Sequence, residues 1–163
     1  MNWLIYFSFS IYVIYIVVSL LKLKRVPDNL SDTYYLWSKN KYLFPLILSG
    51  ASILMIPEWL QYSQMCNCLY LLLTAGTGIF IVCLFPDYKA NETSFLIHVT
   101  SAYTAGFASA VLVLMINWVV LAVVFVISLI ICLVFDKNKK TTFEFWLEFI
   151  VIISLYIIFM FNL

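Results

Sequence analysis

Residues 95–135 read FLIHVTSAYTAGFASAVLVLMINWVVLAVVFVISLIICLVF, a nearly continuous apolar run. At about 1.5 Å of rise per residue, one helix of that length would be roughly twice as long as a bilayer core is thick. A turn must interrupt it, and Asn117-Trp118 is the polar break near its middle. The run therefore predicts two spans, about 94–116 and 119–135. Outward from it, further apolar segments predict spans at about 3–22, 41–57, 66–85 and 143–161. The expected fold is all-α, a six-helix transmembrane bundle forming one integral membrane domain over residues 1–163.

Composition supports the membrane class. The chain has 163 residues, 65% hydrophobic and 10% charged, with a mean hydropathy of +1.05. Soluble domains are about 45–50% apolar and about 25% charged, so a water-soluble fold is excluded. The longest polar segment, from Lys22 to Lys41, is too short for a separate soluble domain. The first apolar segment lacks a basic N-terminal region and a small-residue cleavage site, and Lys22, Lys24 and Arg25 follow it directly. That suits a retained first span better than a removed signal peptide.

Charge distribution sets the expected sidedness. The nine basic residues are Lys22, Lys24, Arg25, Lys39, Lys41, Lys89, Lys137, Lys139 and Lys140. With six spans, all nine fall in the loops after spans one, three and five. With one long fourth span they would divide six to three. The positive-inside rule favours six spans with both termini on the non-cytoplasmic side of a cell membrane. Trp3, Trp59 and Trp118 then fall at outer span ends, and Trp37 and Trp146 near inner ones, as an interfacial aromatic belt requires.

Small residues predict close packing. Ala102/Gly106/Ala110 and Ser101/Ala105/Ser109 form two rows at four-residue spacing, facing Ala75, Gly76 and Gly78 or Ser49 to Ser52. A tightly packed centre of spans two, three and four is expected, with span five, rich in β-branched residues, facing lipid. Before span two, Ser31 or Asp32 is positioned to cap a short interfacial helix carrying Tyr34, Tyr35 and Trp37. Thr93 or Ser94 is expected to cap span four, and Glu58, after Pro57, to sit in water at an outer span end. Cys83 and Cys132 read as packing residues. Cys66 and Cys68 form a lone C-x-C without the further ligands of a zinc site.

The candidate chemistry is a polar cluster at one membrane face. Ionisable residues inside spans are costly and mark candidate sites. His98 and Glu148 lie about one turn into their spans, and Asp87 ends span three after Pro86. The six-span topology brings all three to the cytoplasmic mouth, where at least one carboxylate is expected within hydrogen-bond reach of His98. A histidine with carboxylates can act as a general base or a proton relay, or can simply tie helices together. Ser31, Tyr34 and Tyr35 are weaker candidates for a nucleophile. One histidine and two carboxylates do not make a closed metal set. No metal and no cofactor are expected. The phosphate-loop, H-E-x-x-H and G-x-S-x-G motifs are absent.

The segments Leu30-Ser31-Asp32-Thr33-Tyr34-Tyr35, Phe85-Pro86-Asp87-Tyr88-Lys89, Ile97-His98 and Phe145-Trp146-Leu147-Glu148 carry a resemblance. The chain resembles a family of small, uncharacterised bacterial multi-pass inner-membrane proteins. That likeness covers most of the chain and implies a helical inner-membrane protein, without supplying a reaction. More remotely, the layout is similar to membrane ceramidase-type hydrolases, which hold zinc with several histidines where this chain has one.

The leading functional expectation is a non-enzymatic accessory or small-ligand or lipid-binding membrane protein, its polar cluster opening to the cytoplasm. A lipid-modifying hydrolase and a component of proton- or ion-coupled transport are the alternatives. Expected partners are the bilayer and either another membrane protein or further copies of the chain. A net charge of +1 supplies no basic surface for nucleic acid, which is not expected as a partner.

Overall fold

A computed structural model describes residues 3–37, 40–65, 67–135 and 142–163. Among these the chain forms six α-helices, a 3₁₀ turn and no strand. They are α1 (Trp3–Leu23), α2 (Thr33–Leu36), α3 (Leu43–Met65), α4 (Leu69–Leu84), α5 (Glu92–Phe135) and α6 (Phe143–Phe161). The 3₁₀ turn, Leu30–Asp32, precedes α2. Four helices, α1, α3, α5 and α6, are long and apolar enough to cross a membrane, and α4 is apolar but shorter. Lys39, Cys66, Lys137, Lys139 and Lys140, which bear on the sidedness and the C-x-C reading, lie outside the described residues.

The long apolar run is broken where its polar residues predict. Asn117 has φ −156° and ψ 90°, outside the helical region, while the residues around it are helical. Its side-chain Oδ1 accepts from the amides of Val119 and Val120, at 3.2 and 3.4 Å. Asn117 thus starts a new helix as an N-cap, satisfying amides that the break leaves without carbonyl partners.

Helix ends follow from local chemistry. α1 stops at Lys24, whose left-handed backbone returns its amide to the Leu20 carbonyl, the geometry of a helix C-terminus. α4 stops before Pro86, because the residue preceding a proline is disfavoured in the helical region. The turn before α2 is capped by Asn29, which accepts the Asp32 amide at 2.8 Å. α5 is capped by Asn91, which accepts the Ser94 amide at 2.8 Å. In both places the expected serine, threonine or aspartate cap gives way to an asparagine two or three residues earlier. An asparagine oxygen reaches the third amide as well as a hydroxyl does.

α4 packs most extensively on α5, and α5 in turn on α6. The expected close approach is present at one glycine. A Cβ on Gly78 would stand 2.7 Å from the Ser101 carbonyl oxygen and 2.8 Å from the Ala105 Cβ. Around Gly50, Gly76 and Gly106 there is open space, so these are not contact points. The centre is also not closed: Ala102, Gly106 and Ser109 line a cavity instead of a helix backbone. After Asn117, Val120, Val124 and Ser128 are buried and most other large side chains are exposed, as expected for a helix facing lipid.

Pro57 lies inside α3, so the helix runs past the expected end of its span. Membrane helices tolerate such prolines when neighbouring groups take over the freed backbone partners. Two expectations change with it. Trp59 is only 3% exposed and joins the core rather than an interfacial belt, and Glu58 is 6% exposed rather than in water. Glu58 lines a polar cavity of about 330 Å³ with Tyr6, Gln61 and Asn162. Trp3 and Trp118 are exposed.

Candidate functional site

The site is built from backbone groups that helix ends leave over. Pro86 halts α4, so the Phe85 carbonyl has no amide one turn ahead to accept from. His98, at the start of α5, bonds this carbonyl through Nδ1 at 2.8 Å. Its Nε2 bonds the Ser31 hydroxyl, also at 2.8 Å. A carbonyl only accepts, so Nδ1 carries the proton, and in the neutral imidazole Nε2 is the acceptor for the Ser31 O–H. Both partners are buried, His98 at 2% and Ser31 at 5% exposure. The ring of Tyr88 stacks on His98 with centroids 4.6 Å apart and fixes the plane of the imidazole.

Ser31 is held by a turn clamped on every side. The Leu30 amide, the first of the 3₁₀ turn, donates to Glu148 Oε2 at 2.8 Å. The Phe145 amide, in the first turn of α6, donates to the Asp28 carbonyl at 3.1 Å. Thr33 Oγ1 bonds the Tyr15 hydroxyl of α1 at 2.7 Å and the Leu30 carbonyl at 2.6 Å. Unsatisfied backbone groups are expensive away from water. Here four helices satisfy them mutually and thereby fix one short turn.

The exposed side of the cluster is ionic. Tyr88 donates to Asp32, which also pairs with Lys89. Tyr35 donates to Asp87 at 3.1 Å and accepts from the Lys89 amide at 2.8 Å. Tyr34 is buried against Tyr35, centroids 5.1 Å apart. Burial pushes the Tyr88 hydroxyl well above the ordinary phenol range, reinforced by its bond to Asp32. Burial, with Asp87 adding to it, pushes Tyr35 up to about 12. Both remain neutral donors at physiological pH.

The sequence places His98, Asp87 and Glu148 together, and all three do lie at this end of the bundle. The expected bond between His98 and a carboxylate is absent. Both imidazole nitrogens are taken by Phe85 and Ser31, Asp87 bonds Tyr35, and Glu148 bonds the Leu30 amide. A buried carboxylate finds a backbone amide sufficient, and the helix-end carbonyl competes successfully for the imidazole N–H. Phe85, Tyr88, Tyr15 and Asn29 were not legible as site residues. Pro86 after an apolar run was the one signal for the Phe85 carbonyl.

Behind Ser31 and Glu148 lies a partly open, overwhelmingly apolar cavity of about 110 Å³, lined from α1, α3, α4, α5 and α6. Tyr12 and Trp59 line it too, and the Tyr12 hydroxyl and Trp59 Nε1 are buried without a hydrogen-bond partner. Among the described residues no three His, Cys, Asp or Glu side chains gather as a metal set. Comparison with family models, curated proteins and solved structures finds no match.

Proposed function

We propose that this protein is a multi-pass membrane protein that binds a lipid-like molecule, apolar chain in the central cavity and polar end toward Ser31, Glu148 and Tyr12. The single observation that carries the reading is the cavity itself: apolar walls, with Ser31 and Glu148 among the few polar residues that line it. Ligand sites generally pair such walls with a few polar groups that fix orientation. An engineered apolar cavity of about 150 Å³ admits benzene. A volume of about 110 Å³ accordingly suits a short stretch of acyl chain, the remainder of the lipid lying outside in the bilayer.

The six-span topology belongs to the same proposal, with the polar cluster at the cytoplasmic mouth of a bacterial inner membrane. The break and cap at Asn117 support it, as does the sequence, in which a six-span division puts all nine basic residues in the loops after spans one, three and five.

Trp59 supplies the test. A fatty acid brominated on its chain, titrated into detergent-solubilised protein, is expected to quench a saturable part of the tryptophan emission. That part should vanish in Trp59→Phe. Quenching that rises linearly without saturation, equal in both proteins, would mean that the cavity takes no chain.

A further inference from the structure

Resting on this lipid-binding reading, we infer that Ser31 and His98 form a nucleophile and base that cleave an acyl ester whose chain occupies the cavity. The argument is geometric. The Ser31 hydroxyl is within 2.8 Å of His98 Nε2, and the opposite nitrogen is anchored to the Phe85 carbonyl at 2.8 Å. That anchor keeps the proton on Nδ1 and leaves Nε2 free to take one. A serine activated by a base, itself oriented by a third group, is the general pattern of nucleophilic catalysis. The third group here is a backbone carbonyl left over at a proline-terminated helix.

Position adds a second, independent argument. Ser31 lines the apolar cavity, while His98 is covered by Tyr88 on the side of the exposed loop that carries Lys89. Ser52 and Ser109 line the cavity as well, but Ser31 is the one bonded to His98. The Leu30 amide and the Thr33 hydroxyl, on either side of Ser31, are both committed to fixing the turn.

The chemistry balances with water as the only co-reactant. Ser31 Oγ attacks the acyl carbonyl carbon, and its proton passes to His98 Nε2. The ester C–O bond breaks and the leaving alkoxide takes that proton, leaving the acyl group on Ser31. Water then gives its proton to Nε2 and attacks the carbonyl, the carbon–Oγ bond breaks, and Ser31 recovers a proton. The products are an alcohol and a carboxylic acid.

The probe is a hexadecyl fluorophosphonate, which loses fluoride on reaction with an activated serine. Wild-type protein in detergent is expected to gain the phosphonyl mass, and peptide mapping should place it on Ser31. Labelling should fall at least a hundredfold in His98→Gln and disappear in Ser31→Ala. A shared melting profile would show that the variants fold. Mapping in wild type needs no variant, so misfolding cannot hide the result. Bromo-fatty-acid quenching on the same samples separates the two readings. Saturable quenching with no label on Ser31 would overturn the nucleophile and keep the binding site. Loss of both would overturn the site altogether, and a label spread over several serines would also overturn the assignment.

Discussion

Ser31 and His98 stand 67 residues apart in the chain and share a buried hydrogen bond of 2.8 Å, with Phe85 holding the far side of the ring. Whatever its chemistry, this relay joins three chain segments. His98→Ala leaves a carbonyl and a hydroxyl unpaired and removes a stacked ring, which should cost about 2–4 kcal/mol. Ser31→Ala removes one bond and should cost about 1–2 kcal/mol. Because the two are bonded to each other, the double variant should lose less than the sum of the singles. Equilibrium unfolding in a mild detergent mixture measures all three. Strict additivity would mean that the bond contributes no coupling.

Gly78 is the one glycine whose hydrogen is structurally required. Gly78→Ala brings a methyl to 2.7 Å from the Ser101 carbonyl oxygen and 2.8 Å from the Ala105 Cβ, so α4 and α5 must separate. Overpacking of this kind costs about 1–3 kcal/mol. Gly76→Ala and Gly106→Ala meet open space inside helices and should be neutral or stabilising by up to about 1 kcal/mol. Melting temperatures of the three variants in one detergent decide the matter. Equal losses would remove Gly78 from its special place.

The helices were legible because lipid imposes length and apolarity, and Asn117 was legible because a polar pair stood alone in an apolar run. The caps at Asn29 and Asn91 were misplaced by two or three residues, since Ser, Thr, Asp and Asn compete for the same amides. The site was legible in its location and illegible in its bonding. Ionisable residues inside spans pointed to His98 and Glu148. Yet the groups that satisfy them are a carbonyl at Phe85 and an amide at Leu30, and every residue carries those. Only the three-dimensional position of helix ends selects among them. The cavity could not be read at all, because the same alanine, glycine and serine row can pack a helix or leave a gap.

The polar rim predicts a fall in stability in alkali. Tyr88 and Tyr35 hold their protons more tightly when folded, through burial first and then through Asp32 and Asp87. For an acid whose folded value is raised, the contribution is complete below the unfolded value of about 10 and is lost as pH rises through the folded one. Stability in detergent should therefore be level from pH 7 to about 9.5 and decline above about 10. The Lys89–Asp32 pair is half-exposed on the lysine side and contributes at most about 1 kcal/mol. In Tyr88→Phe the decline should be clearly shallower, and in Lys89→Gln little changed. An identical alkaline slope in wild type and Tyr88→Phe would exclude Tyr88 as its source.

Asn117 is the residue at which the proposed six-span topology is tested. Its backbone leaves the helical region and its side chain accepts the Val119 and Val120 amides, so Asn117→Ala should cost about 1 kcal/mol, as for other lost caps, while Asn117→Ser or Asn117→Asp should recover most of it. Sidedness follows from the same break. An uninterrupted helix from Glu92 to Phe135 would hold position 117 in the middle of the membrane, out of reach of any aqueous reagent. Two spans meeting at Asn117 bring it to the surface opposite Lys89. Single cysteines at 89 and 117, in a chain otherwise free of cysteine, separate these cases with a membrane-impermeant maleimide on sealed right-side-out vesicles. Position 117 should react at once and position 89 only after the vesicles are opened. Protection of 117 in both conditions would make the run one buried helix, and equal reactivity of the two positions would put them on one side.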